Sequence, residues 1–328
     1  MSESSLSLLS FFQDRYCLKP KMAAGSKRSK AVYLNDVNRV REYFHARVEQ
    51  REVLLTDLSA TLIEAAMSWQ IERGREKATA NKLRRHMLAI WRYAGKCGLV
   101  PKPAESVEEI KEPHREPECW WMSEWERILE SGSRLEGRIG DIPAAVFADA
   151  LLRTVYNTGA RITSVMSIES DWVDLKGGSL LIKAEVQKDG EDQRVTLLPL
   201  TVVALEKLGA HGRLKRLFDD WPYDRKVDQW PALNRWFKKI LVDADLFTST
   251  DDVTRRDLWH KVRRTFATYI TAKAGIAVAQ SMLGHSSIEV TKRYVDRSKL
   301  DVPSVADLLV DPNPSRLRVF DPGKDATG

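Results

Sequence analysis

Four prolines divide this chain. Pro101, Pro103, Pro113 and Pro117 punctuate a polar stretch from Lys102 to Glu118. A proline ring lacks the backbone N–H and clashes with the preceding helical turn, so no helix runs through such a stretch. Proline also stiffens an extended chain. The 328 residues suffice for about two domains at roughly 100–200 residues each. The expected organisation is a domain over 1–100, a linker over 101–118 and a second domain over 119–328.

The first domain is expected to be a small helical bundle. Leu8, Leu9, Phe11 and Phe12 recur at helical spacing, as do Val37, Val40, Tyr43 and Phe44. Leu58 to Ile71 reads as a helix capped by Ser59. Thr79 precedes a longer helix through Leu83, Met87, Ile90, Trp91 and Ala94, with Gly98 near its end. Charge is unevenly distributed. Residues 1–112 hold 20 Lys/Arg against 14 Asp/Glu, whereas the remainder holds 32 against 32. The whole excess of +6 therefore falls in the N-terminal third, which favours a polyanionic partner. Two basic stretches carry it, Lys19 to Lys30 and Arg73 to Lys96. Lys27, Arg28, Lys30, Lys82, Arg84 and Arg85 are the candidate phosphate-backbone contacts.

Cys17, Cys97 and Cys119 are odd in number and form no CxxC pair, and no His/Cys cluster has zinc spacing. A reducing, intracellular location is expected. Neither a secretory signal nor an apolar run of about 20 residues is present.

The second domain is expected to be mainly α with a small antiparallel sheet. Ser123 and Glu126 have capping-box spacing. A helix through Ala148, Leu151, Leu152, Val155 and Tyr156 runs to Thr158-Gly159-Ala160-Arg161, where Gly159 suits a left-handed cap. Leu180-Leu181-Ile182 and Val195-Thr196-Leu197-Leu198 flank Gln187-Lys188-Asp189-Gly190, a hairpin with an Asp-Gly turn. Beyond Pro199 the pattern is helical to about Leu309. His260 and Arg263 are i, i+3 neighbours beside a core face of Val262, Phe266, Tyr269 and Ile270. Ser286 and Glu289 again have capping-box spacing and open a helix that carries Tyr294.

Taken in order, these segments resemble the tyrosine recombinases, or phage-type integrases. Thr158-Gly159-Ala160-Arg161 resembles the family's first arginine motif. His260-Lys261-Val262-Arg263 resembles its His-x-x-Arg box, and Leu283-Gly284-His285 its Leu-Gly-His box. Tyr294, nine residues beyond His285, stands where the family places its nucleophile, and Lys188 where it places a catalytic lysine. The resemblance covers nearly all of 120–300 and, more loosely, the helical N-terminal domain as a core-binding domain. Two positions depart from the pattern. Arg264 stands where His is frequent, and Ser164 where an acid commonly buttresses the first arginine.

The resemblance implies a C-shaped clamp around duplex DNA and transesterification at a phosphodiester, with Arg161, Lys188, His260, Arg263, His285 and Tyr294 as the catalytic set. These residue types suit that reaction. Two guanidiniums can clamp the non-bridging oxygens through charge-assisted bonds, and His285 can add a donor. A phenol ionises near pH ~10, so it needs a base or a cationic pocket to attack at neutral pH. His260 is the plausible base, and Lys188 the acid for the leaving 5′-oxygen. No carboxylate cluster of the two-metal kind and no Gly-rich phosphate loop is present, so neither metal nor cofactor is expected. The implied partner is a specific recombination site on double-stranded DNA. The implied assembly is a homotetramer at synapsis, with a monomer as the free form. The implied setting is the cytoplasm of a prokaryote, with a phage or mobile element as source. Two rivals share parts of this pattern: a type IB topoisomerase, and a catalytically inactive DNA-binding relative.

Overall fold

A computed structural model describes residues 6–25, 27–103, 106–113, 116–210, 215–221 and 230–300. They group into two compact units, one within 1–114 and the other within 115–328.

The first unit is helical: α1 (Leu8–Asp14), α2 (Pro20–Ala23), α3 (Lys27–Arg47), α4 (Ala60–Glu72) and α5 (Lys77–Lys96). Its core draws on every helix, including Leu8, Phe11, Val37, Val40, Ile63, Leu83, Met87 and Ile90, all fully buried. Ser59 caps α4 as expected, accepting from the Leu62 amide. The longer helix α5 starts at Lys77, two residues ahead of Thr79.

The proline-punctuated segment does not hang free of this unit. Its backbone is bonded along α5. Trp91 donates to the Pro101 carbonyl, Arg84 Nε to the Val107 carbonyl at 2.7 Å, and the Asn81 carboxamide both gives to and takes from Ile110. Val107 is wholly buried. Proline forbids a helix here, but the amides and carbonyls between the prolines still require partners. Polar side chains of α5 supply them in the manner of a neighbouring strand.

The second unit comprises α6 (Met122–Ser133), β1 (Arg138–Ile139), β2 (Ile142–Pro143), α7 (Ala144–Thr158), α8 (Ile162–Val165), β3 (Val173–Asp174), β4 (Ser179–Ile182), β5 (Gln193–Thr196), α9 (Pro199–Leu208), α10 (Trp230–Asp243), α11 (Trp259–Ala274), α12 (Ile276–Leu283) and α13 (Ile288–Lys292). α7 is apolar almost all round and correspondingly central, with Phe147, Ala150, Leu151, Leu152 and Val155 fully buried. It packs against α6, α9 and α11. β3, β4 and β5 form one antiparallel sheet, with Leu180 opposite Val195 and Ile182 opposite Gln193. A small separate core of Phe266, Ala267, Leu283 and Val295 sits under the last helices.

Four local expectations are corrected. The β4–β5 connection is ten residues long and includes a helical turn at Ala184–Val186, so Asp189-Gly190 is the tip of a wide loop and not a two-residue turn. β5 also ends at Thr196, before Leu197 and Leu198. The α6 cap lies at Trp121, whose amide bonds to Glu124, so the Ser123/Glu126 box is two residues out of place. The α13 cap is Ser287, not Ser286. At α13 two adjacent serines offered alternative caps, whereas at α6 the helix starts earlier, with Glu124 bonded back to the Trp121 amide.

Asn81 is fully buried and pairs with both polar groups of Ile110. Asn81→Leu should therefore lower stability by about 1–3 kcal/mol and expose the Ile110 amide to hydrogen exchange. Unchanged protection of Ile110 would show that the segment is held by other means.

Candidate active site

Arg263 organises the site. It lies one turn into α11 and is 3% exposed. Burying a guanidinium is costly unless its donors are satisfied. Here Nη1 donates to the Gly159 carbonyl at 2.6 Å, and Nη2 donates to the Leu283 carbonyl at 2.9 Å. Both carbonyls sit at helix C-termini, those of α7 and α12, where the backbone dipole is negative. Nε is buried without a hydrogen-bond partner among the described residues, which leaves one donor of this cation uncommitted.

Two glycines make that clamp possible. Gly159 has φ +57° and ends α7; a Cβ there would overlap the Phe266 ring on α11. Gly284 has φ +61° and ends α12. The left-handed turns stop both helices so that their last carbonyls face α11. The Thr-Gly and Leu-Gly pairs in the sequence are thus the means by which Arg263 is held.

His285 follows the second turn and is buried. Its Nε2 lies 2.9 Å from Arg263 Nη2, which can only donate. Nε2 is therefore the acceptor, and Nδ1 carries the proton and donates to Thr291 Oγ1 at 3.0 Å. Burial, followed by the Arg263 and Arg161 cations, pushes this imidazole down to about 4, so it is neutral at pH 7. Thr291 is fully buried and in turn accepts the Tyr294 amide through its carbonyl at 2.8 Å. The Tyr294 ring lies 4.8 Å from His285 and 5.4 Å from the Arg263 guanidinium. Arg263 is lowered to about 10 by burial and by Arg161, and stays a cation.

Arg161 caps α8 and is half-buried. His260 is exposed on α11, one turn before Arg263; desolvation and the surrounding Arg264, Arg263, Arg161 and Arg255 cations hold it below its ordinary range. Lys188 is exposed at the tip of the β4–β5 loop. Ser164, at the position where the family pattern has an acid, donates to the Val186 carbonyl at 2.8 Å. The carboxylate nearest Arg161 is Asp189, at 3.9 Å.

A second set of contacts fixes the chain just beyond Tyr294. Asp296 is buried, its amide bonds to Thr268 on α11, and its carboxylate accepts from the Cys119 amide and from Ser298. Burial alone would raise the Asp296 carboxyl, but the Ser298 and Cys119 bonds and Lys299 keep it below the usual range. Thr291, Asp296 and Asp189 carried no sequence signal of a role: the first two looked like ordinary helix and turn residues, and Asp189 like a turn former.

The candidate DNA contacts all belong to the first unit. Lys27 and Arg28 are exposed in the first turn of α3, and Lys30 leans on the Ala23 carbonyl at 3.4 Å. On α5, Arg85 is exposed and Lys82 half-buried. Arg84 points inward to Val107 and Glu109. No group of three or more His, Cys, Asp or Glu positioned for a metal occurs among the described residues. No helix among them is long and apolar enough to cross a membrane.

The comparisons give the class of protein, an enzyme of DNA strand cleavage and rejoining. The chain belongs to the phage integrase family, whose profile matches residues 133–300, and it is a tyrosine recombinase, an enzyme of DNA strand cleavage and rejoining. Tyrosine recombinase XerC of Pediococcus pentosaceus is 22% identical over 287 residues, 84% of this chain and 89% of that protein. A lambda integrase dimer bound to a COC′ core site superposes with a TM-score of 0.66 at 16% identity, covering 92% of this chain and all of that one. A lambda integrase tetramer bound to a Holliday junction gives 0.64 at 16% identity, covering 92% of this chain and 82% of that one.

Gly159→Ala places a Cβ at positive φ against Phe266 and should cost about 2 kcal/mol or more, read as a lowered urea midpoint. A neutral variant would mean that the α7 turn has room to shift. For pH, a histidine whose folded pKa is depressed favours the unfolded chain as pH falls. Stability should drop between pH 6.5 and about 4, by up to about 1.4 kcal/mol per pH unit from His285. His285→Gln should flatten that slope; an unchanged slope would assign it to other groups.

Proposed function

We propose that this chain is a site-specific DNA recombinase in which Tyr294 attacks a phosphodiester held between Arg161 and Arg263. The observation that carries this reading is the Tyr294 ring lying against the Arg263–His285 pair. In the cleavage step the Tyr294 oxygen bonds to phosphorus and the P–O5′ bond breaks. The phenolic proton passes to His260, which desolvation and the surrounding arginines hold below its ordinary range and so leave able to accept it. Lys188 gives a proton to the departing 5′-oxygen. The product is a 3′-phosphotyrosine with a free 5′-hydroxyl, and a 5′-hydroxyl from a second strand reverses each transfer to reseal the DNA. The bond energy is kept in the phosphotyrosine, so resealing requires no cofactor.

Charge on the non-bridging oxygens grows in the transition state, and preorganised cations act most strongly there. The buried Arg263, with one donor uncommitted, is preorganised in this sense. His285 accepts from Arg263, so one of its tasks is to hold Arg263 and, through Thr291, the turn that bears Tyr294.

Lys27, Arg28, Lys30, Lys82 and Arg85 would lie along DNA phosphates on the first unit, with Arg84 contributing through the segment it holds. The working assembly would be four protomers on two duplexes, formed from single copies. The amphipathic segment with Val302, Val305, Leu308 and Leu309 lies outside the described residues. A groove of about 590 Å³ on the second unit, lined by Tyr156, Leu198, Phe266, Ile270 and Met282, offers it a seat on a neighbour. The lambda integrase tetramer bound to a Holliday junction supports the four-protomer assembly. The setting would be a prokaryotic cytoplasm, with the gene carried by a phage or mobile element.

The test is covalent capture. A pool of randomised nicked duplexes, which lose their 5′ fragment on cleavage, should yield a denaturant-stable protein–DNA adduct with the native chain and none with Tyr294→Phe. Arg161→Ala should bind DNA yet cleave at least about 100-fold more slowly. An adduct with Tyr294→Phe would remove the nucleophile assignment. Supercoil relaxation without strand exchange would favour a topoisomerase, and DNA binding without any adduct an inactive relative.

A further inference from the structure

The tip of the β4–β5 loop brings an anion into a pocket otherwise built from cations. Asp189 is exposed as a residue, yet its side chain is only 19% exposed, because the backbone stays outside and the carboxylate turns in. Its Oδ2 lies 3.9 Å from Arg161 Nη1. On its other side it rests on the bare Cα of Gly284. A Cβ there would lie 2.5 Å from Oδ2 and 3.2 Å from Cγ. The carboxylate therefore occupies the space between the first arginine and the turn that presents His285. Arg263 and His285 both feel its charge, which opposes the desolvation of each.

We propose that Asp189 holds the scissile-phosphate subsite of the DNA-free enzyme as an internal counter-anion, so that phosphate entry expels the loop tip and thereby frees Lys188 to reach the leaving oxygen. This rests on the recombinase reading of the site. A carboxylate and a phosphodiester each carry one negative charge on two terminal oxygens, and both suit a guanidinium fork. Arg161 and Arg263 repel one another, and a resident carboxylate offsets that repulsion until a phosphate takes its place. The separation of 3.9 Å is an ion-pair distance but too long for a hydrogen bond, so Arg161 is balanced and not bound. That separates Asp189 from a buttress of Arg161, which would have to bond it directly.

The surrounding contacts confine the movement to the tip. Ser164 holds Val186 on one arm, and Gln193 on β5 donates to the Met282 carbonyl on α12. Asp192 accepts the Ala184 amide and closes the base of the loop. Gln187 also donates to the Glu191 carbonyl, and the Glu191 amide meets Asp189 Oδ1 at 3.5 Å, so Lys188, Asp189 and Gly190 form the tip between these anchors. Gly190 has φ +76°, the backbone freedom that a tip needs to turn over. With Asp189 turned in, its neighbour Lys188 is exposed and makes no ion pair among the described residues. One substitution of anions would thus both fill the subsite and release the acid.

Sulfate provides a probe that needs no knowledge of the DNA site. Sulfate affinity of the full chain is measured by thermal stabilisation at matched ionic strength, for the native protein, Asp189→Asn, Asp189→Ser, and Arg161→Ala combined with Asp189→Asn. Both single variants should bind sulfate at least about fivefold more tightly than the native chain, and the double variant should lose the gain. On the nicked-duplex pool, Asp189→Asn should reach half-maximal adduct at a correspondingly lower DNA concentration. Equal sulfate affinities, including no measurable binding by any form, overturn the proposal. A fall in both sulfate affinity and adduct would make Asp189 a support of Arg161 and overturn it as well. If sulfate affinities shift as expected but no protein forms an adduct, the counter-anion stands and the recombinase reading fails.

Discussion

The buried guanidinium of Arg263 is the constraint on which the site depends. A cation at 3% exposure must be compensated, and the compensation comes from the ends of two helices that are distant in sequence, α7 and α12. Those ends must stop at the right residue, which is why glycine stands at 159 and 284. They must also face one another across α11, which requires α7 to be buried on nearly all sides. The central packing of α7 and the placement of one charged group are thus the same problem, solved once. His285, Thr291 and Tyr294 then follow as a short chain of bonds leading away from the guanidinium.

Electrostatics within this cluster run against intuition. It is rich in arginine, yet its two histidines are neutral at pH 7, because desolvation and the neighbouring cations both disfavour a further proton. A neutral His260 can take a proton, whereas a protonated one could not. The same cations that would stabilise a phosphate thereby prepare the base, and an internal carboxylate keeps their mutual repulsion tolerable. The site is strained by like charge in a way that a polyanion relieves.

Much of this was legible from residue order. The two Gly-terminated turns, the i, i+3 pair on α11 and the helix before Tyr294 each follow from local rules that survive tertiary packing. The failures share a cause. Capping boxes at Ser123 and Ser286 competed with neighbours one or two residues away, and spacing alone does not decide between them. The β4–β5 connection was read as a tight turn because Asp-Gly is a strong turn signal. Its true length depends on where Ile182 and Gln193 pair, which the sheet decides. Asp189 was hidden for the same reason: its Oδ1 takes the Glu191 amide as a turn former does, but in a wide loop its carboxylate also comes within reach of Arg161. The proline-rich segment looked like a free linker because proline speaks only to helix, while its attachment is written in the polar face of α5, at Asn81, Arg84 and Trp91.

The anchoring of Asp296 bears on what happens once DNA is attached. A tyrosine on a loose loop would join the DNA end to the protein through a flexible tether. Here the residues flanking Tyr294 are bolted, by Thr291 on one side and by Asp296 to Thr268 and Cys119 on the other. Tension on a captured strand would therefore pass directly into α11 and the start of α6. A covalent joint at Tyr294, as proposed above, would bear load as a rigid bracket, and a strand under torque could turn about it without carrying Tyr294 out of register.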